Sequence, residues 1–261
     1  MFQSFRVSRA RWASAPYAAS ILCAILALSG TPVRADWQIP AGADVQLSGG
    51  HVELGGSDLL VSGTLALGTG SIDLVRAISI TPGAVVDAGS GSLELAGTWS
   101  NLGSFLAGTS TVRFVDGAQA QSGLIGDTVF HGLSFISSTG KTYVLAVAST
   151  QSIEGLLTIL GTPAQAIQIA SAAAGQVAYM NLLPTGTQNI HDVGVSDVHA
   201  IGQPQAPDES NQGGSGNDLG WFGNTEFVEG IPLPILSPRW LAILGALLIL
   251  LVARKRRAQT H

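Results

Sequence analysis

The chain of 261 residues contains 17 acidic and 12 basic side chains and one cysteine. Residues 36–229 hold all 17 acidic residues but only three basic ones, Arg76, Arg113 and Lys141, and so carry a net charge of −14. Such a charge repels phosphate backbones, so nucleic acid is not an expected partner. The single cysteine, Cys23, has no second cysteine with which to form an intramolecular disulfide.

Residues 1–35 have the three parts of a secretory signal peptide. Three arginines in the first eleven positions precede an apolar stretch at residues 17–28. The small residue Ala35 then offers a cleavage site before Asp36. The pattern predicts an exported protein, with an uncleaved N-terminal membrane anchor as the alternative. Because Cys23 lies in this segment, the mature chain would fold without any thiol.

A five-residue motif recurs in the next part of the chain: glycine, any residue, an apolar residue, an acid and leucine. It occurs at 50–54, 70–74 and 91–95, and continues with substitutions at 110–114 and 131–135. Such a repeat is typical of solenoids, so we expect its third and fifth positions to point inward and to stack. The third positions are Val52, Ile72, Leu93, Val112 and Leu133, and the fifth are Leu54, Leu74, Leu95, Phe114 and Phe135.

A second set of glycine-led segments alternates with the first. Its central residues, Leu65, Val85, Phe105 and Ile125, recur every 20 positions and are expected to form one continuous buried column. Two interleaved ladders predict an all-β fold over residues 36–222. We expect a parallel, right-handed β-helix or solenoid with roughly 20 residues per turn. An antiparallel β-sandwich is the alternative, although its strands rarely recur at a fixed spacing.

The fourth positions of the first motif point to solvent if the third and fifth point inward. They are Glu53, Asp73, Glu94, Arg113 and Ser134. Three carboxylates then lie in a row, about 4.8 Å apart from turn to turn, and repel one another. Either water and salt screen these charges, or Glu53, Asp73 and Glu94 form a ladder that binds calcium ions.

Other candidate sites have weaker patterns. Residues 213–218 match the first six positions of a calcium-binding nonapeptide repeat, but only as a single copy, and a loop is the alternative. The histidines have no zinc-ligand spacing, and neither a nucleophile elbow nor a phosphate-binding loop occurs. We therefore predict no catalytic residue and no cofactor other than calcium. A polysaccharide hydrolase or lyase is the enzyme that this scaffold would favour.

The C-terminal tail predicts a membrane segment. Residues 223–238 form a linker with a proline motif, and residues 239–257 form a transmembrane helix with a basic end. Trp240 suits the membrane–water interface. The basic cluster predicts a cytoplasmic C-terminus and an exported body, with a buried core helix as the alternative. This cluster consists of Arg254, Lys255, Arg256 and Arg257.

A proline motif, an apolar helix and a final basic cluster together resemble the C-terminal sorting signals of Gram-negative bacteria. Those signals are substrates of exosortase-type membrane proteases. The motif residues here are Ile231, Pro232, Leu233, Pro234 and Trp240, and the Pro-Glu-Pro core of the family is replaced by Pro-Leu-Pro. The body, at residues 99–105 and 216–222 for example, is loosely similar to exported β-helix surface proteins carrying such tails. The resemblance implies sorting or anchoring through the tail, and it does not indicate any particular activity of the body.

These patterns predict a non-enzymatic cell-envelope or extracellular-matrix protein with a structural or adhesive role. The expected partners are the membrane, a sorting protease and surface polysaccharide. The alternative is a polysaccharide-active enzyme, or a module that binds carbohydrate or cations, built on the same scaffold.

Overall fold

A computed structural model describes residues 36–224. Within this range the chain is all β and contains no helix. Its 23 short strands form a parallel β-solenoid of about eight turns, with about 21 residues in each turn. The predicted solenoid is therefore confirmed. The antiparallel sandwich is wrong, because the strands of every sheet pair in parallel.

Three strands make up one turn, and the eighth turn has two. In chain order the strands are β1 (Trp37–Ile39), β2 (Asp44–Gln46), β3 (His51–Glu53), β4 (Leu59–Val61), β5 (Thr64–Ala66), β6 (Ser71–Val75), β7 (Ile78–Ile80), β8 (Val85–Asp87), β9 (Ser92–Leu95), β10 (Trp99–Asn101), β11 (Ser104–Leu106), β12 (Thr111–Phe114), β13 (Gln121–Ile125), β14 (Thr128–Phe130), β15 (Gly132–Ile136), β16 (Thr142–Leu145), β17 (Thr150–Ile153), β18 (Leu156–Leu160), β19 (Ile167–Ser171), β20 (Ala178–Leu182), β21 (Thr187–His191), β22 (Val193–Ser196) and β23 (Val198–Gly202).

Successive turns stack their strands into three faces. The first face is one sheet of eight strands, in the order β1-β4-β7-β10-β13-β16-β19-β22. The third face is one sheet of seven strands, β3-β6-β9-β12-β15-β18-β21. The second face consists of two separate sheets of four strands, β2-β5-β8-β11 and β14-β17-β20-β23. The solenoid is therefore continuous on two faces and divided on the other.

Pairing on the third face follows the first predicted ladder. Val52 pairs with Ile72, and the pairing continues through Leu93, Val112 and Leu133. The last four of these side chains are buried, and Val52 in the first turn is partly buried. The inward direction and the register predicted for the third motif positions are both confirmed.

The fifth motif positions follow the prediction with one exception. Leu95, Phe114 and Phe135 pair in succession and are buried. Leu74, predicted to point inward, is 49% exposed, and Val75 is buried opposite Leu95 in its place. A β-bulge causes this shift, since Leu74 adopts a φ of 56° and adds one residue to its strand. The prediction for Leu74 is wrong.

The second predicted column is correct at two of its four positions. Leu65 and Phe105 are buried in one column, but the residue between them is Val86 rather than Val85. Ile125 lies at the end of β13 on the first face and is exposed. The predictions for Val85 and Ile125 are wrong because the number of residues per turn changes along the solenoid.

Two aromatic clusters fill the core of the middle turns. Ring centroids in the first are 5.0 to 5.8 Å apart, and its members are Trp99, Phe105 and Phe130. Ring centroids in the second are 4.5 to 5.6 Å apart, and its members are Phe114, Phe135 and Tyr143. Aromatic pairs of this geometry contribute about 0.5–1.5 kcal/mol beyond their buried area. The clusters therefore hold the fourth, fifth and sixth turns together.

Residues 203–224 close the C-terminal end of the solenoid. Trp221 is fully buried there and forms a backbone bridge with Gln205. The side-chain amide of Asn211 accepts a hydrogen bond from the N–H of Val195 and donates one to its carbonyl, as a neighbouring strand would. A strand edge covered in this way is protected from pairing with another chain.

The loop at residues 213–218 is part of this closure. Both carboxylate oxygens of Asp218 accept hydrogen bonds from asparagine amides, those of Asn211 and Asn224. Asn217 donates to Asp197, whose pKa this bond and a backbone bond from Gly175 lower. Asp218, the carboxylate that a calcium ion would need in this loop, instead accepts hydrogen bonds within the closing segment. These contacts favour the loop over the calcium-binding repeat.

Lys141 is buried, although the sequence offers it as one of only three cations of the body. Its Nζ donates to the carbonyl oxygens of Ala96 and Val115, which belong to the preceding turns. Burial lowers the pKa of Lys141, and the neighbouring carboxylate of Asp116 partly offsets this effect. Lys141 therefore links turns inside the solenoid instead of facing a ligand.

Asp116 is held by four hydrogen bonds from one short segment. Ser137 Oγ, Ser138 N, Ser138 Oγ and Thr139 Oγ1 donate to its carboxylate at 2.6 to 3.0 Å. Burial alone would raise the pKa of Asp116, but these hydrogen bonds outweigh it and lower the pKa. The ionised carboxylate therefore stabilises the folded chain at neutral pH.

We expect Asp116→Asn to lower the free energy of unfolding at pH 7 by about 1–2 kcal/mol. Because the folded-state pKa lies below the unfolded one, this stabilisation is complete above the ordinary carboxyl range and is lost as the pH falls through the folded-state pKa. Chemical denaturation at pH 7 and pH 3 tests this, with exposed Asp44→Asn as the control. An equal difference from wild type at both pH values would contradict it.

No helix in residues 36–224 is long and apolar enough to cross a membrane. The predicted signal peptide at 1–35 and the predicted transmembrane segment at 239–257 lie outside the residues that the structure describes.

Candidate functional site

Four neighbouring strands of the third face, β3, β6, β9 and β12, present alternate side chains to solvent. A surface groove of about 430 Å³, the third-face groove, lies across them. Its lining residues are Glu53, Asp73, Leu74, Ser92, Leu93, Glu94, Thr111 and Arg113. The groove therefore contains the four charged fourth-position residues of the first motif, which side-chain alternation places on one solvent-facing strip. This strip consists of Glu53, Asp73, Glu94 and Arg113.

The charged residues of the groove follow the strand register. Glu53 lies opposite Asp73, and Glu94 lies opposite Arg113. Arg113 Nη1 is 3.3 Å from Glu94 Oε2. Ser134, the next residue of the predicted strip, is buried and does not line the groove. The strip thus ends at the cation.

A residue that the sequence analysis missed, His51, lies at the other end of the strip. Its Nδ1 is 2.6 Å from Ser71 Oγ and 3.2 Å from Asp73 Oδ2, and its Nε2 is 3.3 Å from Glu53 Oε1. The imidazole therefore bridges two carboxylates on neighbouring turns. A signal for it existed, because His51 occupies the second motif position and the second and fourth positions share one face of a strand.

The β-bulge at Leu74 shapes the middle of the groove. It interrupts the pairing of β6 with β9 beside Asp73 and leaves the leucine side chain exposed among polar groups. A bulge re-aims side chains locally, and here it adds one apolar contact to an otherwise polar surface. The groove is therefore chemically mixed.

The carboxylates of the groove have partners within the protein. His51 contacts Glu53 and Asp73, and Arg113 contacts Glu94. Across residues 36–224, no group of three or more His, Cys, Asp or Glu side chains is arranged to hold a metal ion. The interpretation of Glu53, Asp73 and Glu94 as a calcium ladder stays a prediction, and the contacts with His51 and Arg113 are the alternative partners of these carboxylates.

The groove can both donate and accept hydrogen bonds. Its carboxylates accept, Arg113 donates, and the hydroxyl groups of Ser92 and Thr111 do both. Leu74 offers an exposed apolar contact beside them. This combination suits a polar ligand that carries several hydroxyl groups and one apolar face.

No family model, curated protein or solved structure matches this chain. The predicted sorting motif at 231–234 and 240 and the topology residues at 254–257 lie outside the described residues.

Proposed function

We propose that the chain is a non-enzymatic, exported protein of the cell envelope or extracellular matrix, sorted or held through its C-terminal tail. The order of charges along the sequence carries this proposal. An acidic body is followed by an uncharged apolar run at 241–253 and the basic cluster at 254–257. Basic residues beside a membrane segment stay in the cytoplasm. The body therefore lies on the opposite side of the membrane.

The solenoid supports a structural or adhesive role. Eight turns stacked about 4.8 Å apart make a rod roughly 35–40 Å long, whose faces offer extended surfaces. The body holds its core without a cysteine, so its folding does not depend on the redox state of its compartment. We propose a right-handed coil, because crossovers between parallel strands are right-handed in nearly all proteins.

The two ends of the sequence complete the proposal. Residues 1–35 act as the signal peptide, and the motif at 231–234 is the site read by an exosortase-type protease. Removal of both segments would leave the solenoid and part of its linker at the cell surface. Intact-mass measurement of the protein from its native host tests both cleavages at once.

Reporter fusions test the orientation. We expect a reporter enzyme that is active only outside the cytoplasm to be active when fused after Asn224, and inactive when fused after His261. The reason is the basic cluster that follows the apolar run. Replacing Arg254, Arg256 and Arg257 by glutamine is expected to weaken this difference. An active reporter after His261 in the unaltered chain would contradict the proposed orientation.

A second candidate function is carbohydrate binding, which the mixed chemistry of the third-face groove favours. The glycosidase alternative needs a carboxylic acid kept protonated by an apolar environment. In the groove Glu94 contacts Arg113, and Glu53 is 64% exposed. These surroundings favour a binding surface over a catalytic one.

A further inference from the structure

The second face is interrupted between the fourth and fifth turns. β11 is the last strand of one four-stranded sheet and β14 is the first strand of the next. The other two faces remain paired across the same step, through Trp99 with Leu124 and through Thr111 with Gly132. The interruption is therefore local to one face and is not a division of the solenoid.

A change in turn length explains the interruption. Between the flanking pairs Ser100–Ile125 and Thr111–Gly132, the fourth turn has the residues 101–110, whereas the fifth has only 126–131. The fifth turn must take the shorter path. β11 therefore has no paired strand in the fifth turn, although its Phe105 ring still packs against Phe130.

The backbone of β11 is left with one free edge. The N–H of Ser104 and the carbonyl of Leu106 bond to Ala84 and Ala88 of the third turn. Backbone groups alternate in direction along a parallel strand, so those of Phe105 point toward the fifth turn, where no strand pairs with β11. An edge of this kind is a template for another strand.

Exposed apolar side chains gather on the two turns that flank the free edge. Leu102 is 58% exposed, Leu106 is 51% exposed and Val129 is 45% exposed. These are three of the eight large apolar residues that are exposed in residues 36–224. A cluster of exposed apolar side chains beside an unpaired strand edge is typical of a docking surface.

The charge around the edge is of one sign. Asp87 pairs directly with Leu106 on the neighbouring strand, and Asp127 immediately precedes β14. The strands of the second face contain neither lysine nor arginine. A second copy of the chain would bring the same acidic surface into contact with itself. A cationic partner is complementary to it.

We infer that the free edge of β11 binds an extended segment of a partner protein by strand addition. The segment pairs with the backbone at Phe105, covers Leu106 and Val129 with its apolar side chains and directs lysine or arginine side chains toward Asp87 and Asp127. Main-chain hydrogen bonds supply affinity in this mode of recognition, and the alternate side chains supply specificity. This inference holds wherever the protein is located.

The test uses the purified full chain and a fluorescent eight-residue peptide of alternating valine and lysine. We expect Leu106→Arg to weaken binding about tenfold, through loss of an apolar contact and like-charge repulsion. Leu156→Arg adds the same charge at a similarly exposed leucine, at the start of β18 on the third face, and is expected to leave binding within about twofold. Two further peptides carry N-methyl groups on the backbone nitrogens, one at all valines and the other at all lysines. Each lacks the N–H donors along one edge of the strand. We expect one of the two peptides to lose binding and the other to keep it.

Three results would overturn the inference. Equal weakening by Leu106→Arg and Leu156→Arg would indicate adsorption to an acidic surface. Unchanged binding by both methylated peptides would exclude strand addition. Self-association of the full chain that Leu106→Arg abolishes, measured by sedimentation, would identify a second copy as the occupant of the edge.

Discussion

Phe105→Ala is expected to lower the free energy of unfolding by roughly 3–5 kcal/mol. Phe105 is only 9% exposed, and its ring lies 5.0 Å from that of Trp99 and 5.8 Å from that of Phe130. No strand pairing joins β11 to β14 at this point. The ring contacts therefore carry the packing between the fourth and fifth turns on the second face.

Chemical denaturation followed by tryptophan fluorescence measures this loss. Leu106→Ala is the matched control, because Leu106 is the next residue of the same strand and is half exposed. We expect the control to change the free energy of unfolding by less than about 0.5 kcal/mol. Similar losses in the two variants would remove Phe105 from the buried column.

Trp221→Ala is expected to lower the free energy of unfolding by a similar amount, roughly 3–5 kcal/mol. The substitution leaves a cavity in the segment that closes the C-terminal end of the solenoid. Trp221 is fully buried, and the segment around it pairs with Gln205. In a solenoid each turn contacts only its neighbours, so we expect the damage to be largest in β22 and β23.

Hydrogen exchange separates this local effect from a general one. In Trp221→Ala, amides of β23 are expected to lose protection before those of β4 and β5, because stability differs between parts of a solenoid. Ile201→Ala, at an exposed position of β23, is the control. Uniform loss of protection along all turns would contradict the closing role of Trp221.

The sequence predicts the third face well because its motif keeps an almost constant spacing there. Val52, Ile72, Leu93, Val112 and Leu133 pair in the predicted register. Where a strand departs from strict inward–outward alternation of its side chains, the sequence pattern does not predict which side chain is buried. Leu74 adopts a left-handed backbone conformation, which leucine rarely does, so its sequence could not predict the bulge at this position.

The second face is predicted less well because turn length is set by tertiary packing. Ile125 has the spacing of the buried column, yet the shorter fifth turn places it on the first face. Lys141 is a comparable case. Its burial depends on carbonyl groups of Ala96 and Val115, which no local pattern around the lysine could indicate.

The sequence predicts part of the candidate site. Alternation along the strands identifies Glu53, Asp73, Glu94 and Arg113 as neighbours on one strip. The same rule applied to second motif positions would have added His51. The sequence could not predict the contact geometry that pairs His51 with two carboxylates on neighbouring turns.

A distance between two spin labels tests the parallel solenoid most directly. Gln38 on β1 and Ala170 on β19 lie on the same eight-stranded sheet, six strands apart. With Cys23 replaced by serine, labelled cysteines at these positions are expected to give one narrow distribution near 30 Å, as stacked turns about 4.8 Å apart require. A distribution centred below about 20 Å, or a broad one, would contradict the stacking of turns along a single axis.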